Sequence, residues 1–227
     1  MKFSIITLFP QMFTSVFSQS IIKRAIDKKL IEIRLINLRD FAVDNYRTVD
    51  DRPYGGGVGM ILKVDVIDRA LESLEKDSLK PGLTVLLDPK GKQFDQKQAQ
   101  GFTKYKHLIL IAGHYEGVDA RVDKLVDQKI SIGNYILTGG EIPGMVIVDA
   151  VTRLLPGVLQ KKAAIRDESF TQAVYEPPQY TRPAIYQGLK VPQVLILGDH
   201  QKIAAWRQKM SKPVKTSRPV GRFRSPS

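Results

Sequence analysis

Residues 83–111 carry, in order, Leu83-Thr84-Val85-Leu86-Leu87, the turn residues Asp88-Pro89-Lys90-Gly91, a stretch of helical spacing over 96–104, and Leu108-Ile109-Leu110-Ile111. Two short apolar runs bounded by polar or turn residues have the length and composition of buried strands. A helix between two such strands is the unit of parallel sheets, because parallel neighbours need a crossover connection. Outward from this unit the pattern repeats. Residues 3–8 and 31–36 predict further buried strands. Residues 20–29 and 64–74 predict helices, the second with Val64, Ile67, Leu71 and Leu74 on one face. Pro81-Gly82 and Asp88-Pro89-Lys90-Gly91 read as turns at strand ends. The fold class is therefore α/β, a mostly parallel sheet flanked by helices. Ligands of such sheets sit outside the carboxyl ends of the strands, so the loops after Leu87 and Ile111 are the first candidates for a site.

Composition narrows the function classes. With 43% hydrophobic and 26% charged residues, the 227-residue chain reads as an ordinary soluble globular protein. No apolar run is long enough to span a bilayer. The opening Met-Lys-Phe-Ser-Ile-Ile-Thr-Leu-Phe-Pro has a short apolar run and no small-residue cleavage site, which suits a first strand better than a signal peptide. The absence of cysteine excludes disulfides, thiolate metal sites and cysteine nucleophiles, and fits a cytoplasmic location. Charge is uneven. Residues 1–160 hold 22 Lys+Arg against 19 Asp+Glu, whereas residues 161–227 hold 13 against 4. A basic last third points to a polyanionic partner held through its phosphates.

The same shift marks the domain organisation: a catalytic α/β domain over 1–159 and a polar linker over 160–174. The Tyr175-Glu176-Pro177-Pro178-Gln179-Tyr180-Thr181-Arg182-Pro183 run then opens a small C-terminal module over 175–211. Within that module, residues 193–197 read as a short strand, and Asp199 as the cap of a helix through Lys209 with Ile203, Trp206 and Met210 on one face. Residues 212–227 form a basic tail rich in Pro, Ser and Gly, predicted to be disordered.

Ser131-Ile132-Gly133-Asn134-Tyr135-Ile136-Leu137-Thr138-Gly139-Gly140-Glu141 brackets apolar residues with glycines. It reads either as a hairpin with glycine turns or as a pocket wall of backbone amides and apolar side chains, suited to a flat ring such as adenine. Three further segments carry polar or glycine-rich chemistry: residues 50–60, 113–119 and 166–170. None has the spacing of a P-loop or a dinucleotide fingerprint, and no nucleophile elbow is present. His107, His114 and His200 are not spaced as metal ligands and read as packing or surface residues. Together the segments suit group transfer from a nucleoside-containing donor to a nucleic acid.

In this order the motifs resemble those of the bacterial tRNA (guanine-N1)-methyltransferases, the TrmD family. The matching strings are Leu8-Phe9-Pro10 with Met12-Phe13; Tyr46-Arg47-Thr48-Val49-Asp50-Asp51-Arg52-Pro53-Tyr54-Gly55-Gly56-Gly57; Gly113-His114-Tyr115-Glu116-Gly117; and residues 131–141. Arg153 with Pro156-Gly157-Val158-Leu159, and Tyr180-Thr181-Arg182-Pro183, complete the set. Taken singly, Asp50-Asp51 and Asp167-Glu168 read as solvated acids and Arg153 as an ion-pair partner. Collinearity of the motifs reverses that reading for Arg153, Gly113, Glu116, Gly139-Gly140 and Glu168.

The resemblance implies methyl transfer from S-adenosylmethionine to N1 of the guanine at tRNA position 37. It also implies a C-terminal trefoil knot in the α/β domain and a homodimer whose active sites draw on both subunits. By it, Leu87, Gly113, Glu116, Ile132, Gly133, Asn134, Tyr135, Ile136, Leu137, Gly139 and Gly140 would hold the cofactor. Asp50, Arg52, Gly55, Gly56 and Gly57 would sit near the methyl donor and the substrate base, and Arg153 would bind the guanine. The family's association with Mg2+ has no carboxylate cage to match it here, and no metal-ligating residue is assigned. The general base would lie directly before Ser169-Phe170, where the family usually has Asp and this chain has Glu168, with Asp167 the alternate. Two further departures are Asn134 for a frequent Asp, and a basic tail in place of a longer helical C-terminal domain. Rival readings are a knotted methyltransferase for another RNA position and a catalytically silent RNA-binding relative.

Overall fold

All six residues of Lys2–Thr7 (β1) are buried, as expected of a central strand covered on both faces. In this computed structural model, which describes residues 1–75, 82–159 and 174–213, β1 is followed by Ser20–Asp27 (α1) and Glu32–Asn37 (β2). Val64–Glu75 (α2), Gly82–Gln93 (β3), Gln96–Phe102 (α3) and His107–Ala112 (β4) come next. Gln128–Ser131 (β5) and Glu141–Thr152 (α4) complete the unit. The five strands form one parallel sheet in the order β2-β1-β4-β3-β5.

Strand alternation sorts the core into two layers. Phe3, Ile5, Val85, Leu87, Leu108 and Leu110 face one side, where they pack with Ile22 and Ala25 of α1, Ala99 and Phe102 of α3, and Ile147, Val148 and Val151 of α4. Ile6, Ile36, Leu86, Ile109 and Ile111 face the other, against Val66, Ile67, Ala70, Leu71 and Leu74 of α2. The α2 face read from Val64, Ile67, Leu71 and Leu74 is therefore the face that meets the sheet.

Asp88-Pro89-Lys90-Gly91 does not end its strand. The Asp88 carboxylate accepts from the Lys90 amide at 2.7 Å, making a local turn. The chain then rejoins the sheet, so that Leu87 and Lys92 both register with Ile130 of β5. The excursion is a bulge within β3, and Gly91 lies so close to the backbone of Ile130 that a side chain there would overlap it. Residues 131–141 are not a hairpin: they connect β5 to α4.

The chain divides into two compact units, Met1–Gln160 and Lys161–Ser227. In the second, Ile185–Tyr186 and Leu189–Lys190 form a hairpin over Gln187-Gly188, both with positive φ. The strand expected at 193–197 is instead a short helix, Gln193–Ile196, begun by Pro192 and terminated by Gly198 at φ +76°. His200–Met210 (α5) is capped as expected: the Asp199 carboxylate accepts from the amides of Gln201 and Lys202, both at 3.1 Å. Those amide bonds, that of Lys202 first, hold the Asp199 carboxyl below the usual carboxylate range. Within the same unit Tyr180 packs near Trp206, ring centroids 6.3 Å apart.

Candidate active site

The carboxyl ends of the adjacent strands β4, β3 and β5 open into one cavity of about 310 Å³, within the range of small-ligand sites. Leu87 to Lys90, Gly113 to Val118 and residues 130–140 supply most of its lining. Leu87, Gly113, Glu116, Ile132, Gly133, Tyr135, Ile136, Leu137, Gly139 and Gly140, all anticipated from sequence, line this cavity; Asn134 is exposed and does not.

Local hydrogen bonds shape the wall after β5. The Ser131 hydroxyl donates to the Gly133 carbonyl at 2.9 Å and accepts the Gly133 amide at 3.2 Å. The Tyr135 hydroxyl donates to the Ile132 carbonyl at 3.3 Å, and the exposed Tyr135 and Ile136 form an apolar lip. The wall then closes on β4, where the Gly140 amide donates to the Gly113 carbonyl at 2.7 Å and His114 bridges Gly139. At Gly140 a Cβ would stand 2.7 Å from Ala112 Cα, so only glycine permits this approach.

The opposite rim is the turn from His114 to Gly117. Tyr115 adopts φ +57° and Gly117 φ +114°, and the Gly117 amide donates to the His114 carbonyl at 3.0 Å. This turn is fastened to the glycine-rich segment. Asp50–Asp51 pairs with Ile61–Leu62 in a short antiparallel ladder, so residues 52–60 form its loop. The Glu116 amide donates to the Met60 carbonyl at 3.1 Å, and the Leu62 amide to the Gly117 carbonyl at 3.0 Å. Gly55, Gly56, Gly57 and Gly59 all have positive φ, a conformation most side chains resist. Asp50 on that ladder, and Arg52, Gly55, Gly56 and Gly57 on its loop, are thus joined to the Glu116 turn but outside the cavity itself.

Asp119 locks the far side of the turn. Its carboxylate accepts from the Arg121 amide at 2.8 Å and from the guanidinium at 3.0 and 2.7 Å. Those bonds, the guanidinium's first, hold the Asp119 carboxyl below the usual carboxylate range.

Arg153 does not line the cavity. It is the C-cap of α4, and a twelve-residue helix spans about 18 Å, so it stands a helix length from Gly140. Asp167 and Glu168 lie outside the described residues. Among those residues no group of three His, Asp or Glu side chains could hold a metal ion, and no helix is long and apolar enough to cross a membrane.

The sequence left three residues without a role that the structure brings together. Glu141, the first residue of α4, is 1% exposed. Its Oε1 accepts from the Thr7 hydroxyl at 2.8 Å, and its Oε2 lies 3.5 Å from His114 Nδ1. A carboxylate placed directly after two glycines, at the start of an apolar stretch, was the available signal for a buried helix N-terminus.

Fold and site together define an α/β protein with a glycine-walled cavity of small-ligand size at the carboxyl edge of a parallel sheet. Within that class, residues 1–220 match the family described as tRNA (Guanine-1)-methyltransferase TrmD, and the chain belongs to that family. The tRNA (guanine-N(1)-)-methyltransferase of Carboxydothermus hydrogenoformans is 50% identical over 212 residues, 93% of this chain and 83% of that relative. The proteins of the same name from Dictyoglomus turgidum and Geobacillus kaustophilus are each 52% identical, over 92% and 93% of this chain and 84% and 86% of theirs.

Proposed function

We propose that the chain transfers the methyl group of S-adenosylmethionine to N1 of the guanine at tRNA position 37. The observation that carries this reading is the glycine-walled cavity at the carboxyl edge of β4, β3 and β5, in a chain of this family. Its lining fits an adenosine moiety: glycines at 113, 139 and 140 let a flat ring approach the backbone, and Leu87, Ile132 and Leu137 offer apolar surface to it. When bound, S-adenosylmethionine supplies a sulfonium methyl as the electrophile.

The remaining chemistry belongs to the chain. N1 of neutral guanine carries a proton, so a base must remove it as the N1 lone pair forms the new bond to carbon. Glu168, or Asp167 beside it, takes this proton. Arg153 stabilises the negative charge that develops on guanine O6, while Asp50, Arg52 and the Gly55-Gly56-Gly57 loop place the base. Shared active sites in a homodimer follow from the distance between Arg153 and the cavity within one chain. The exposed Met12, Val16, Ile142 and Val146 offer apolar surface for that contact, on α4 and the segment packed against it. A trefoil knot in the α/β domain, a loosely held hydrated Mg2+, and a cytoplasmic site of action complete the reading. The basic residues of 161–227 bind tRNA phosphates.

Nucleoside mass spectrometry tests it, with tRNA carrying guanine at positions 36 and 37 incubated with the protein, S-adenosylmethionine and Mg2+, and a second tRNA carrying adenine at 37. The expected product is 1-methylguanosine from the first tRNA alone. Methylation elsewhere would reassign the target. Binding without methylation would make the chain a silent relative.

A further inference from the structure

The buried cluster behind the cavity wall has no part in the chemistry above. The Glu141 carboxylate is wedged beneath Gly139, where a Cβ would overlap both its Oε2 and His114 Nδ1. Thr7, at the carboxyl end of β1, donates its hydroxyl to Oε1 and accepts the Phe9 amide at 3.0 Å. The carboxylate therefore ties the end of β1, the turn after β4 and the start of α4 to one another. His114 is gripped between Phe9 and Tyr115, at centroid distances of 4.9 and 5.0 Å, both edge-on.

The ring is oriented by what surrounds it. Nδ1 is fully buried and makes no hydrogen bond; Glu141 Oε2 faces it at 3.5 Å, while the side chain keeps 20% exposure and lines the cavity. The exposed part of the ring is therefore away from Nδ1. An acceptor-only carboxylate facing Nδ1 favours the proton on that nitrogen and leaves the lone pair on Nε2, toward the ligand side.

We propose that Glu141 is a positioning residue: through Thr7 and His114 it fixes the Gly139-Gly140 wall and the Nδ1-protonated tautomer of His114, and so sets methyl-donor affinity without touching the donor. This rests on the reading that the cavity holds S-adenosylmethionine.

The test uses the full-length protein with S-adenosylhomocysteine as the probe, and the variants Glu141→Ala and Glu141→Gln. Isothermal calorimetry reads donor-site affinity, filter binding reads tRNA affinity, and long-range 1H–15N spectra read the imidazole tautomer. Wild type is expected to bind the probe with His114 in the Nδ1-protonated form. Glu141→Ala should lose that tautomer and weaken probe binding by about tenfold or more, since the buried Thr7 hydroxyl loses its acceptor and His114 Nδ1 the carboxylate that faces it, with tRNA affinity unchanged. Glu141→Gln, whose amide oxygen can still accept from Nδ1–H, should restore the tautomer and most of the affinity. Should Glu141→Ala fail to fold, the tautomer in wild type and the behaviour of Glu141→Gln still decide. The proposal is overturned by an Nε2-protonated His114 in wild type, by unchanged probe affinity in Glu141→Ala, or by equal losses of probe and tRNA affinity. Failure of wild type itself to bind the probe would instead remove the reading of the cavity.

Discussion

Replacing Gly140 by alanine measures how closely the cavity wall depends on backbone contact with β4. Gly140 has φ −84° and ψ −1°, a negative-φ conformation that alanine can adopt, so the new contacts dominate the comparison. The added Cβ would stand 2.7 Å from Ala112 Cα, 2.9 Å from the Gly113 nitrogen and 3.1 Å from the Ala112 carbonyl carbon. Carbon contacts are comfortable at about 3.5–4.0 Å, so the turn must retreat by roughly 1 Å. None of the three atoms can rotate aside, because all belong to the backbone where β4 ends. The retreat stretches the 2.7 Å bond from the Gly140 amide to the Gly113 carbonyl and widens the cavity at its glycine wall. Overpacking of this kind costs about 1–3 kcal/mol, and a loss of 1.4 kcal/mol in binding is about tenfold in affinity. Urea unfolding reads the first quantity and calorimetry with S-adenosylhomocysteine the second. Gly101→Ala is the matched control: it lies in α3 with nothing within 4 Å of its would-be Cβ, and should stabilise by about 0.5–1 kcal/mol. A Gly140→Ala protein with wild-type stability and wild-type affinity would show that contact with β4 does not set the wall.

Asp119→Asn keeps a capping side chain but loses the Arg121 ion pair. Because the folded Asp119 carboxyl is held below its ordinary value, its contribution is complete above the unfolded-state value and disappears as pH falls through the folded one. The variant should therefore unfold at lower urea than wild type near neutral pH, with the gap closing in acid; a gap independent of pH would refute the assignment. For the proton acceptor, Glu168→Gln should abolish single-turnover methylation while Asp167→Asn preserves it, and the opposite pattern would move the role to Asp167. Deleting residues 214–227 removes Lys215, Arg218, Arg222 and Arg224. That should weaken tRNA binding and flatten its dependence on salt, since each phosphate contact contributes about −0.9 to the logarithmic slope on duplex nucleic acid; an unchanged slope would exclude the tail from the contact.

What the sequence conceals is as physical as what it reveals. β1, β3 and β4 were legible because a strand covered on both faces needs a mostly apolar run, and residues 3–8, 83–87 and 108–111 supply one, broken only by Ser4, Thr7 and Thr84. β5 was not, since Gln128 and Lys129 open a four-residue edge strand of which only Ile130 and Ser131 are buried. α4 was hidden for the opposite reason. Ile142, Pro143, Gly144, Val146, Ile147, Val148 and Val151 carry poor helix propensity, and burial against the sheet and neighbouring helices overrides it. The cavity lining was legible residue by residue through the family resemblance its motifs carry, whereas Thr7, His114 and Glu141 are distant in sequence and meet only once the sheet is assembled. Asp88-Pro89-Lys90-Gly91 joins the two cases. Its residues form the turn that their chemistry favours, but a local signal cannot say that the chain returns to pair with Ile130 again. That return places Asp88, Pro89 and Lys90 on the cavity rim, where a strand ending at Leu87 would have left the loop to run on toward α3.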